Sequence, residues 1–68
     1  MKIGERIRKQ REALGWSQEE LAQKMGYTHR SALSKIEVGK NDVSYSKMLR
    51  FAEVLGTSVG YLVGVDER

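Results

Sequence analysis

The glycines of this chain stand mostly between its apolar-periodic stretches, and proline is absent. Periodic segments that stop at glycine read as short helices, each closed by a residue able to take a left-handed conformation. This punctuation implies about five helices. The first runs from about Ile3 to Leu14, with Ile3, Ile7 and Leu14 on one face and Gly15 closing it. Gln10 and Arg11 lie on or beside that face, and an arginine there needs a partner because an unpaired charge is costly to bury. Ser17 opens the second helix as an N-cap, and Glu20, three residues on, completes a capping box. Leu21, Ala22 and Met25 face inward until Gly26 ends it. Thr28 is the expected cap of the third helix, which carries Leu33 and Ile36 inside and ends at Gly39. Ser44 caps a fourth, with Met48, Leu49, Ala52 and Leu55 inside before Gly56, and Ser58 caps a short fifth holding Val59 and Leu62. No period-two alternation runs long enough to argue for a sheet, so the expected class is all-α.

The chain has 68 residues, too few to divide their apolar groups between two cores, so 1–68 reads as one domain. There is no internal repeat, low-complexity segment or linker. With no cysteine and a single histidine, His29, neither a disulfide framework nor a Cys/His zinc site can be assembled. Packing must then supply the stability. No apolar run approaches the roughly 20 residues that span a bilayer, and the opening Met-Lys-Ile-Gly-Glu-Arg lacks the apolar centre of a signal peptide. A cytoplasmic protein is expected, with no membrane and no metal among its partners.

The net charge of +3 and the basic isoelectric point suggest an anionic partner. Residues 1–40 hold nine Lys or Arg against five acids, whereas residues 41–68 hold three against four. The positive field therefore belongs to the N-terminal part. A solvated basic helix face would give the same imbalance.

The stretch Gln18 to Glu37, QEELAQKMGYTHRSALSKIE, narrows the choice. Small Ala22 lets the second and third helices approach, Gly26 makes the turn, and Leu21, Leu33 and Ile36 supply the seam between them. Outward on the third helix stand His29, Arg30, Ser31, Ser34 and Lys35, all able to hydrogen-bond base edges or phosphates. No carboxylate interrupts that face before Glu37, so it could enter a polyanion's groove without repulsion. Trp16, Met25, Met48 and Phe51 read as packing residues rather than ligand contacts.

Taken with IGERIRKQREALGWSQEELAQKMG, LSKIEVGK and LRFAEVLGTSVGYLVG, this pattern resembles the XRE family of helix-turn-helix domains, the group of phage repressors and Cro proteins. The resemblance covers nearly the whole chain. It implies a five-helix repressor-like fold, a sequence-specific DNA-binding regulator without catalytic residues or cofactor, and double-stranded DNA as partner. It also implies a homodimer on a palindromic operator, acting most simply as a repressor. Ser17 and Gln18, at the start of the second helix, are expected at a phosphate. The third helix is the expected recognition helix, with Thr28, His29, Arg30 and Ser31 near its start and Ser34 and Lys35 one turn on. Arg30 or Lys35 could meet guanine O6 and N7, or either could hold a phosphate. Lys40 and Asn41 resemble the family loop that grips the DNA backbone. Arg11 and Glu37 are expected to form a partly buried ion pair. Tyr61, Val63 and Val65 are the implied dimer contacts, with packing as the other reading for Tyr61 and Val63. The chain departs from the commonest pattern in carrying one residue more between Gly26 and Leu33, so that the resemblance does not fix the base-contact register, and in having Val43 where proline is often found.

Two other classes compete with this reading. An antitoxin-type protein-interaction module would use the same helices with DNA contact secondary, and its DNA affinity would be undetectable or independent of salt. An enzyme has little to stand on, lacking a carboxylate pair at informative spacing and a phosphate-cradling glycine loop.

Overall fold

In a computed structural model, described over residues 3–65, the chain forms five helices: α1 (Ile3–Ala13), α2 (Gln18–Lys24), α3 (Arg30–Glu37), α4 (Tyr45–Leu55) and α5 (Val59–Val63). No strand occurs among the described residues. Three helix starts are set by serine. Ser17 Oγ accepts from the Glu20 N–H at 3.1 Å while Glu20 Oε1 accepts from the Ser17 N–H at 2.8 Å, which satisfies two backbone donors that a helix start leaves open. Ser44 Oγ accepts from the Lys47 N–H, and Ser58 Oγ from the Tyr61 N–H. At the end of α2, Gly26 takes φ +81°, a left-handed conformation that other L-residues adopt only at a cost. The Tyr27 N–H then returns to the Ala22 carbonyl at 2.9 Å, turning the chain sharply toward α3.

One apolar core joins all five helices. Ile7 of α1, Leu21 and Ala22 of α2, Leu33 and Ile36 of α3, Phe51, Ala52 and Leu55 of α4, and Leu62 of α5 are buried, together with Met25 and Val43 from the connections. Trp16, Tyr27, Met48 and Val59 pack against it while half-buried. Burying each large side chain contributes about 1.5–3 kcal/mol, so these few residues carry most of the fold. Polar bonds then fix α1 across its neighbours: Gln10 Nε2 donates to the Leu55 carbonyl at the end of α4, and Arg6 Nη1 donates to the Tyr61 carbonyl in α5.

Three sequence expectations are corrected. Thr28 does not cap α3; His29 occupies that position, in extended conformation and with no side-chain cap bond. Leu14 is 42% exposed, because α1 ends at Ala13 and the Arg11 carbonyl accepts both the Leu14 and the Trp16 N–H, curling the chain off the helix axis. Leu49 is 48% exposed, since the buried face of α4 centres on Phe51, Ala52 and Leu55 and leaves Leu49 at its edge.

Candidate nucleic-acid interface

The outer face of α3 is presented by anchors on its inner face. Leu33 is fully buried and Ile36 nearly so, and the small Ala22 lets α2 lie close against them. The 3.6-residue period then turns Arg30, Ser31, Ser34 and Lys35 the other way. Arg30, Ser31 and Lys35 are exposed and Ser34 is half-buried.

These four residues line one open depression together with Gln18 from the start of α2. Its charged groups are two cations and no carboxylate. A second cleft, on the other side of Arg30 and Ser31, adds Thr28 and His29 and the α2 residues Glu19, Ala22 and Gln23. Glu19 is thus where the uniformly cationic or neutral surface stops. Helical spacing puts Glu19 and Gln23 on one face of α2, and the packing of α2 against α3 brings that face to the start of α3.

Gln18 is held from behind. Its Nε2 donates to Glu37 Oε1 at 3.0 Å, and because an amide nitrogen carries two hydrogens, one remains for an outward acceptor. Glu37 is itself buried against Arg11. Arg11 Nε donates to Oε2 at 2.8 Å and Nη2 to Oε1 at 3.2 Å, while Nη1 donates to the Trp16 carbonyl at 2.8 Å. Among the described residues, every buried side-chain polar atom finds a partner.

Other expected residues lie apart from this depression. Ser17 is exposed and spends its hydroxyl oxygen on the α2 cap. Lys40 and Asn41 are exposed beyond the end of α3, but their backbone N–H groups both return to the Lys35 carbonyl, which leaves their side chains as the outward-reaching groups. Asn41 borders a different groove, between the start of α1 and the α3–α4 connection. At the far end, Tyr61 and Val63 are half-buried and Val65 is 81% exposed. Tyr61 sits under the Arg6 guanidinium at 5.1 Å, so part of its ring already serves an internal contact.

Two further cations cover aromatic rings beside the helix pair: Lys24 over Trp16 at 4.7 Å and Lys47 over Tyr27 at 4.9 Å. Tyr27 lies in the turn itself, and burial pushes its hydroxyl pKa above the ordinary tyrosine value. No set of three or more His, Cys, Asp or Glu among the described residues is placed to hold a metal ion, and no described helix is long and apolar enough to cross a membrane.

Residues 7–62 match the family model described as helix-turn-helix. The crystal structure of the restriction-modification controller protein C.AhdI from Aeromonas hydrophila superposes with a TM-score of 0.81 and 38% identity, covering 90% of this chain and 91% of that one. An uncharacterized HTH-type transcriptional regulator from the SPbeta prophage of Bacillus subtilis (strain 168), YonR, is 33% identical over 61 residues, 90% of this chain and 56% of that protein. An uncharacterized transcriptional regulator in the ATPase CF(0) region of Rhodospirillum rubrum is 33% identical over 66 residues, 97% of this chain and 60% of its own length. The chain therefore spans under two thirds of either curated relative. With the helix pair, its glycine turn and the outward face of α3 all in place, these matches establish that the chain belongs to the XRE-type helix-turn-helix family.

Proposed function

We propose that this chain is a sequence-specific DNA-binding transcriptional regulator that occupies a palindromic operator as a homodimer and represses transcription from it. The observation that carries the reading is the depression formed by Gln18, Arg30, Ser31, Ser34 and Lys35, which has donors and positive charge but no carboxylate, on a helix whose opposite side is fixed in the core. In this reading α3 enters the major groove. Arg30 and Lys35 supply the charged donors suited to guanine O6 and N7 or to phosphate, while Ser31 and Ser34 offer short hydroxyls to base edges. Thr28 and His29 lie at the entering end. Ser17 and Gln18 meet a phosphate beside the start of α2, and Lys40 and Asn41 another beyond the end of α3. The similarity to two transcriptional regulators and to a restriction-modification controller protein supports the regulatory part of the proposal.

A helix this short reads few base pairs, so a two-fold dimer with recognition helices about 34 Å apart gives the specificity that one copy lacks. Exposed Val65, with Val63 and the outer part of Tyr61, is the surface offered for that contact. The work is that of a cytoplasmic protein, and it needs neither cofactor nor catalysis.

Selection of bound sequences from random duplex DNA tests the proposal. It should return two half-sites in inverted orientation, about 10–11 base pairs between centres, with affinity that falls steeply as salt rises because neutralised phosphates release counterions. No enriched sequence, together with an affinity that ignores salt, would replace DNA with a protein partner.

A further inference from the structure

Gly4, Ile7 and Arg11 are the buried residues of α1, and their spacing of three and then four stacks them along one face. Two of them touch the same turn of α3. Arg11 grips the Glu37 carboxylate, and Gly4 lies against the backbone of Ile36 and Glu37. A side-chain carbon at Gly4 would stand 2.7 Å from the Glu37 carbonyl oxygen, 3.0 Å from its carbonyl carbon, and closer still to the Ile36 carbonyl oxygen. A carbon that makes no hydrogen bond normally keeps about 3.5 Å or more from its non-bonded neighbours. Every atom in the way is backbone, so no rotamer change makes room. Glycine is otherwise a poor helix residue, and here its backbone conformation is ordinary; what the position demands is close approach.

We infer that Gly4 is a positioning residue for the recognition surface: by letting α1 meet the last turn of α3 backbone to backbone, it sets the angle at which α3 presents Arg30, Ser31, Ser34 and Lys35. The inference rests on the DNA-binding reading of that face. An eight-residue helix is a rod about 12 Å long. A push of about 1 Å at Ile36 and Glu37, the room a methyl group needs to reach ordinary contact, acts at one end of the rod and so tilts it. Hydrogen bonds to base edges hold only over about 2.7–3.2 Å, so such a shift breaks them. Attraction to phosphates falls off more gradually with distance. Displacing α3 in this way removes discrimination between sequences while leaving general affinity for DNA largely in place.

The test is Gly4→Ala in the full chain, beside Leu55→Val as a variant weakened in the core away from this contact. Residual dipolar couplings give the α1–α3 orientation in the free protein. Affinities at one salt concentration are measured for the duplex selected by the parent and for a scrambled duplex. Sucrose in both measurements favours the compact state, so that a destabilised variant is read folded. In Gly4→Ala the couplings should fit intact helices at a changed angle, and the preference for the selected duplex should fall about tenfold or more, the effect of losing one good base contact. Affinity for the scrambled duplex should stay within about twofold. Leu55→Val should keep the parent's angle and preference. An unchanged α1–α3 angle, with the methyl group absorbed by unwinding of the first turn of α1, overturns the inference, as does an unchanged preference. A parent with no preferred duplex instead removes the DNA reading, and the couplings still decide whether Gly4 places α3.

Discussion

Arg11 and Glu37 meet through both carboxylate oxygens, at 2.8 and 3.2 Å, with the Glu37 side chain 1% exposed and that of Arg11 10%. A pair this dry is not a large source of stability in itself, because removing two ions from water costs about as much as their attraction returns. Its force shows when it is broken. Both partners are committed at once: the third arginine donor goes to the Trp16 carbonyl, and Glu37 also accepts from Gln18. The pair thereby joins α1, the α1–α2 connection, α2 and α3.

Truncating one partner strands the other. Glu37→Ala should lower stability by about 3 kcal/mol, leaving the buried guanidinium with only the exposed Glu12 carboxylate at 3.9 Å as counter-charge. For a domain of this size that is a fall in Tm of more than about 10 °C. Arg11→Met combined with Glu37→Leu should recover most of the loss, since an apolar pair of similar volume replaces the ions without leaving a buried charge. Thermal melts of the three proteins check this; a Glu37→Ala melt matching the parent would show that Arg11 reaches water.

Tyr27 gives a prediction in alkaline solution. Burial raises its folded-state pKa above the ordinary value of 10.0, so the unfolded chain loses the phenolic proton first as pH rises. Its contribution is fully present below about pH 10 and is lost as pH climbs through the folded-state value. Urea unfolding at pH 9 and pH 11 should show a larger fall in stability for the parent than for Tyr27→Phe, which keeps the ring and its contact with Phe51 but cannot ionise. Equal falls would mean that the hydroxyl is hydrated in the folded state.

Much of this architecture is legible along the chain because its causes are local. Ser17, Ser44 and Ser58 act at fixed offsets from the N–H groups they cap, so spacing alone finds them. Thr28 misleads by the same logic. The start of α3 carries no side-chain cap bond, so no local side-chain signal marks where the helix begins. Helical period places Arg30, Ser31, Ser34 and Lys35 on one face correctly. It cannot show that Gln18 reaches Glu37 nineteen residues away, or that Gly4 meets the Ile36 carbonyl, since both depend on which helices touch. Leu49 fits the apolar period yet is 48% exposed, outside the buried face that centres on Phe51, Ala52 and Leu55.

In the proposed function, Arg30 and Lys40 separate sequence reading from general grip. Arg30 borders both depressions on the α3 face, whereas Lys40 stands past the end of the helix. Arg30→Ala should relax preference at one base pair by about 1–3 kcal/mol. Lys40→Ala should weaken every duplex alike and reduce the slope of log affinity against log salt by about 0.9. Titrations of both variants against the selected site and its single-base mutants check the division. Equal behaviour of the two would place Arg30 on a phosphate.

The proposed dimer surface can be probed without touching the fold, because Val65 is 81% exposed and its backbone N–H is already satisfied by the Gly60 carbonyl at 3.0 Å. A surface change of this kind alters stability by about 0.5 kcal/mol or less, so Val65→Asp should melt with the parent when both are dilute enough to be monomers. If Val65 lies across a two-fold axis from its own copy, the substitution brings two carboxylates together and removes apolar contact from both sides at once. Sedimentation should then show the monomer persisting to a higher protein concentration than in the parent. Affinity for the full palindrome should fall, and affinity for an isolated half-site should not change, because one copy's α3 is untouched. A variant that dimerises and binds the palindrome as the parent does would move the interface off the end of α5.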